Sequence, residues 1–169
     1  DTSTKEQMVR EGAVEAAQDL SKTDDARARW NCVTVLCNLS FHRPTQLQMV
    51  RDRAVSAIST LARCRDPEVE ILCARALFEL STNADCHHRF ASDGGPATLC
   101  LLLDSVLPPT SAHGAFPDDS SRQQAHMVAA AMYNLSCSPA ESVLCAEHMV
   151  AAGALPQLVR LCAHPAQDT

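Results

Sequence analysis

An all-α fold assembled from repeated three-helix units is what this sequence predicts, and three observations carry the prediction. The helix ending VTVLCNLS at residues 33–40 returns as RALFELS at 75–81 and as AAMYNLS at 130–136. A second phrase, a polar turn followed by an apolar helix, occurs four times: REGAVEAAQDL, RDRAVSAISTL, SDGGPATLCLL and AAGALPQLVRL. Aromatic residues make up only 4%, and Ala, Leu, Val and Cys carry the apolar load, small side chains that let helices approach closely.

The spacing of the two phrases defines a period. Gly12, Arg53 and Gly94 occupy one register position at intervals of 41 (53 − 12 and 94 − 53), and Asn38 and Glu79 repeat the same interval. The longer steps, from Glu79 to Asn134 and from Gly94 to Gly153, are explained by two surface detours. One is the segment LPPTSAHGAFPDDSS at 107–121, and the other is CSPAES at 137–142.

Within a unit the pattern predicts a short helix over 45–50, a turn, a second helix over 54–63, a polar break at 65–67 and a longer third helix over 68–80. In the third helices Ala28, Cys32, Val35, Leu36 and Leu39 match Val69, Cys73, Ala76, Leu77 and Leu80, then Gln124, Val128, Ala131, Met132 and Leu135. Spacings of three and four make a single stripe facing the core. The chain divides into units at 2–41 (first helix trimmed), 42–81, 82–136 with the inserted loop, and 137–169 without its third helix. No unit reads as a polar cap, so further repeats of the parent chain are expected on one or both sides.

Composition narrows the function. The 169 residues carry a net charge of −6 with only two lysines, which leaves no basic footprint for nucleic acid or an anionic membrane. The apolar run at 99–103 stops at Asp104 and the longer one at 127–133 stops at Asn134, both far short of a bilayer span. Nine cysteines without a CxxC pair, with Cys32, Cys73 and Cys100 at core positions, read as reduced thiols in the cytoplasm rather than a disulfide framework. The nucleus and the cilium are the alternative compartments.

Over nearly its whole length the chain resembles the armadillo-repeat family, through the A-x-x-x-L-x-N-L-S-like ending of the third helix and the G-[AG]-[LVP]-x-x-L-like opening of the second. The resemblance implies a right-handed α-solenoid of about four repeats, the terminal ones incomplete. It also implies a concave groove lined by third helices, where Asn side chains hold the backbone of an extended peptide. An Asn amide both donates and accepts, so it serves any peptide sequence.

By matched position the resemblance gives this role to Asn38 and Asn134, with Glu79 breaking the ladder between them. Third helices about 10 Å apart would place the two Asn about 20 Å apart. That corresponds to about six residues of extended peptide. One and two turns upstream lie Thr34 and Trp30, Arg75 and Ile71, and Ala130 and His126. Nuclear-import adaptors of this family carry Trp where this chain has Thr34, Arg75 and Ala130, so their aromatic cage for lysine stems is not carried over. Trp30 serves either as a groove anchor or as packing between the first two units, and Arg75 and Glu79 have the spacing of a solvated ion pair.

Chemistry of other kinds finds little support. Cys86, His87 and His88 form the densest metal-like cluster, yet adjacent residues do not aim at one tetrahedral ion, and the stretch aligns with an ordinary first helix. There is no phosphate-binding glycine loop and no nucleophile elbow, so neither cofactor nor catalysis is expected. The sequons at Asn38 and Asn134 are products of the repeat itself. The insertion at 107–121 reads as a surface loop, with docking or phosphorylation the sharper alternative. The expected function is a non-catalytic protein-binding module; a scaffold in a cytoskeletal or ciliary assembly and a substrate-presenting region of a larger enzyme are the alternatives.

Overall fold

The computed structural model describes residues 2–107, 116–138 and 140–163. Among them are eleven α-helices, one 3-10 turn and no strand. In chain order the helices are α1 (Thr2–Arg10), α2 (Ala13–Leu20), α3 (Ala26–Ser40), α4 (Arg43–Arg51), α5 (Ala54–Ala62) and α6 (Pro67–Ser81). After a 3-10 turn at Ala84–Cys86 come α7 (His87–Ser92), α8 (Gly95–Val106), α9 (Asp119–Ser136), α10 (Ser142–Ala151) and α11 (Ala154–Cys162).

Local chemistry punctuates these helices at the interval seen in the sequence. Asp25 and Asp66, 41 apart (66 − 25), each accept two backbone N–H groups at the start of α3 and α6, and Asp118 accepts that of Ser121 at the start of α9. Such caps satisfy donors that no helical carbonyl reaches. Each second helix is entered through a residue in the left-handed region: Gly12, Arg53, Gly94 and Gly153, with φ of 87°, 68°, 89° and 83°. The four equivalent positions therefore share a backbone requirement, and Arg53 meets it against the steric preference of an L side chain.

Helices one unit apart lie against each other. First helices pack as α1 on α4, α4 on α7 and α7 on α10; second helices as α2, α5, α8 and α11; third helices as α3, α6 and α9. The stripe expected on the third helices is buried except at Ala28 and Val35, which are half-buried. A single apolar cluster runs from Val9 to Ala154. Six of the nine cysteines are buried, Cys64 is half-buried, and Cys137 and Cys162 are exposed; none is bonded to another. Burial pushes the thiols of Cys37 and Cys86 up to about 11, so they behave as small apolar groups.

α1 has nine residues, as does α4, and one boundary differs from the sequence reading. The insertion ends earlier than expected, because residues 119–121 form the first turn of α9, which has 18 residues where α3 and α6 have 15. Asp118 supplies a new cap three residues upstream of the repeat register, and the helix starts there. The middle of the insertion, 108–115, and residues 164–169, where the expected absence of a third helix would be judged, lie outside the described residues.

Replacing Arg53 by Gly removes the left-handed penalty and is expected to stabilise the fold by about 0.5–1 kcal/mol, the penalty exceeding the added freedom of the unfolded chain. Gly94→Ala has open space for the new Cβ but the same positive φ, and it is expected to cost about 1 kcal/mol. Thermal denaturation of the two variants beside the wild type checks both signs.

Candidate functional site

The third helices α3, α6 and α9 carry the nine matched residues on three adjacent surfaces. Trp30, Asn38 and His126 are exposed, whereas Thr34, Ile71, Arg75, Glu79, Ala130 and Asn134 are half-buried. The members on the central helix α6 are all in the half-buried group, since α6 has a third helix on each side. Trp30, at 43% exposure, keeps much of its indole outside the core. The Thr34 hydroxyl turns back on its own helix and donates to the Trp30 carbonyl at 2.8 Å.

The two Asn residues are not equivalent. The Asn38 side chain is exposed, while the Asn134 amide nitrogen donates to Ser81 Oγ on α6 at 3.0 Å. Half of the donor capacity of Asn134 is thus used inside the protein, and its amide oxygen is left for another partner. Arg75 and Glu79 do not make an ion-pair contact. Partial burial raises the pKa of the Glu79 carboxyl and the nearby Arg75 guanidinium opposes that rise. The expected solvated pair is therefore an interaction at a distance.

Below this surface lies a feature that sequence reasoning missed. Gln46 of α4 is buried, and its amide nitrogen donates both to the Ser40 carbonyl at 2.8 Å and to the Glu79 carbonyl at 3.0 Å. It ties the end of one third helix to the end of the next. Lys5, 41 residues earlier (46 − 5), donates to the Asn38 carbonyl at 2.8 Å; His87, 41 later (87 − 46), donates through Nε2 to the Ser81 carbonyl at 2.6 Å. Asn38 matches Glu79 and Ser81 matches Ser40, so the three side chains repeat one device. Last-turn carbonyls have no partner within their helix, and a nitrogen donor from the first-helix row supplies one. The signal was present as Lys, Gln and His at one register position.

This assignment also accounts for the cluster at 86–88. Cys86 closes the 3-10 turn, His87 is buried as a helix tie, and His88 is exposed, so the three side chains serve different surroundings. Among the described residues no three His, Cys, Asp or Glu side chains gather as metal ligands. No single described helix is long and apolar enough to cross a membrane.

No family model and no curated protein matches the chain. Its fold is similar to that of an engineered protein whose crystal structure was determined by the Northeast Structural Genomics Consortium, with a TM-score of 0.73, 23% sequence identity and 98% of this chain covered. This chain spans 62% of that protein, less than two thirds of its length. At that identity the likeness establishes a shared helical fold and nothing about function.

Gln46→Ala leaves the buried Ser40 carbonyl without a donor, whereas the Glu79 carbonyl keeps the N–H and hydroxyl of Thr82, and the change is expected to lower unfolding free energy by about 1–3 kcal/mol. His87→Gln, which can donate twice, is expected to change it by less than about 1 kcal/mol; urea denaturation of both variants checks the contrast. Glu79 gives a pH signature. Its folded pKa is raised, so the folded state holds the proton longer than the unfolded chain, and stability falls as pH rises from the ordinary Glu range through the folded value. Glu79→Gln is expected to remove that decline, which paired denaturation curves across this window measure.

Proposed function

We propose that this chain is a non-catalytic protein-interaction module: a right-handed α-solenoid of armadillo-type three-helix repeats that holds an extended segment of a partner protein along its third helices. The observation that supports this reading is the row formed by α3, α6 and α9, in which matched residues at successive turns face one surface, recessed at Arg75 and Glu79 and open at Trp30, Asn38 and His126. Asn38 and the amide oxygen of Asn134 hold the peptide backbone near its two ends. Arg75 meets a carboxylate or carbonyl oxygen at its centre, and Trp30 receives an apolar side chain. Binding needs no cofactor, because the recognition is carried by amides, one guanidinium and one indole.

The experiment is selection of peptides from a displayed random library, followed by calorimetry on the selected sequences. Each of Asn38→Ala and Arg75→Ala is expected to weaken a selected peptide by about threefold to tenfold, the equivalent of about 0.5–1.5 kcal/mol, with the melting temperature unchanged. Asn134→Ala is expected to lower the melting temperature as well, since it breaks the bond to Ser81. Peptides whose affinity ignores all three substitutions would rule out this groove.

A further inference from the structure

A cleft of about 500 Å³ opens between the first two units, walled by α1 and α2 on one side and by α4 on the other. No residue lining it belongs to a third helix, so it is separate from the row described above. Val9 and Pro44 supply apolar surface, and the carboxylates of Glu6, Glu15 and Asp52 outnumber the single guanidinium of Arg10. A volume of this size holds a small ligand or one long side chain with its flanking atoms.

The equivalent junction between the second and third units is built differently. There Asp93, 41 residues after Asp52 (93 − 52), accepts from Arg89 Nε at 3.1 Å, and half-buried Ser56 stands 41 residues after Glu15 (56 − 15). At the first junction Gln48 takes the place of Arg89, and its neutral amide donates to Asp52 Oδ1 at 2.7 Å. A second carboxylate, Glu15, takes the place of Ser56. The first junction therefore lacks the internal cation of the second and carries an extra anion. Burial raises the pKa of the Asp52 carboxyl, the Gln48 amide opposes that rise, and the charge of Glu15 adds to it.

A buried side chain beside the cleft also lacks a donor. His42 is 8% exposed, and the Thr45 hydroxyl spends its only proton on the His42 carbonyl at 3.0 Å. Ring Nδ1, 3.2 Å from the same hydroxyl oxygen, is thus the donor in that contact, and Nε2 carries a lone pair. Nε2 is buried without a hydrogen-bond partner and is directed at Glu6 Oε1 on the cleft wall, 3.8 Å away. Two acceptors face each other across that gap, and an N–H group held between them satisfies both. Among the described residues no three His, Cys, Asp or Glu side chains gather around one point as metal ligands, so these acceptors suit an extended cation with several donors.

We infer that the cleft binds an alkylguanidinium group, its N–H donors shared among Glu6, Glu15 and Asp52 and its apolar stem lying along Val9 and Pro44. A guanidinium offers five donors and no acceptor, in a planar fork that matches carboxylates. The group is either the arginine side chain of a protein segment or a free small guanidine. This site is independent of the peptide-binding reading, which concerns the third-helix row.

Calorimetric titration at low ionic strength with butylguanidine, butylamine and the blocked peptide acetyl-Gly-Arg-Gly-amide tests it. Both guanidinium probes are expected to bind, and butylguanidine at least about threefold more tightly than butylamine. The tighter of the two guanidinium probes identifies the source, the peptide for an arginine side chain and butylguanidine for a free compound. Gln48→Arg, which gives Asp52 the partner that Arg89 gives Asp93, is expected to weaken binding at least about tenfold. Glu15→Gln combined with Asp52→Asn is expected to do the same without adding a cation. Glu147→Gln is the control, since Glu147 is exposed on α10, outside the cleft, and affinity should be unchanged. Circular dichroism confirms that each variant is folded, and the two cleft variants stand in for one another if either is not. No binding of either guanidinium probe, butylamine binding as tightly as butylguanidine, affinity that survives a folded cleft variant, or affinity lost with Glu147→Gln would each overturn the proposal.

Discussion

Each third helix ends with carbonyls that cannot find a partner in their own helix, and in this protein the solution to that problem also joins the units. The amide of Gln46 reaches the last turns of α3 and α6 together, so one buried side chain satisfies two helix ends and sets their separation. Burial makes the arrangement demanding, since a carbonyl removed from water and left unpaired costs more than a hydrogen bond returns. Lys5 and His87 repeat the tie at the same interval with one bond each. The first-helix row thereby acts as a spine of nitrogen donors behind the surface formed by the third helices.

That spine positions the candidate site without entering it. Asn38 is held through its backbone carbonyl by Lys5, and Glu79 through its backbone carbonyl by Gln46, which leaves both side chains at the surface. Asn134 is held differently, by its side chain, through the hydroxyl of Ser81. Ser81 thus serves the neighbouring helix with its carbonyl, which accepts from His87, and with its hydroxyl, which also donates to the Phe78 carbonyl. The recurring Asn-Leu-Ser or Glu-Leu-Ser ending is a structural phrase whose Ser closes the helix and whose first residue is presented outward.

Helices pack on their counterparts one period away, and this governs how the apolar surface is distributed. Val150 and Leu155 occupy positions that are buried in every earlier unit, and their exposure follows from that arithmetic of neighbours rather than from a change in residue type. Val143, exposed like its counterparts Arg43 and Ala84, shows that apolar character alone does not mark an interface. The informative quantity is a residue's exposure relative to its register mates.

Much of the fold was legible because it is written in local chemistry. Helical periodicity, the aspartate caps, and the glycines that enter the second helices each depend on a few consecutive residues, and a period of 41 multiplies every weak signal. The start of α9 escaped because Asp118 offered a cap outside the repeat register, and a local hydrogen bond outweighed the pattern. The chemical types at the candidate site were readable as well: Trp30, Asn38, Arg75 and Asn134 fall where helical geometry places them. Tertiary structure alone decided their state. Asn134 is half occupied because α6 brings Ser81 beside it, Arg75 and Glu79 make no ion-pair contact although their spacing allows one, and Lys5 and Gln46 became helix ties because packing carried them to the carbonyls of Asn38 and Glu79, 33 residues along the chain. Sequence specifies which groups a helix presents and at what interval; which group meets which across neighbouring helices is fixed only when the apolar stripes have packed.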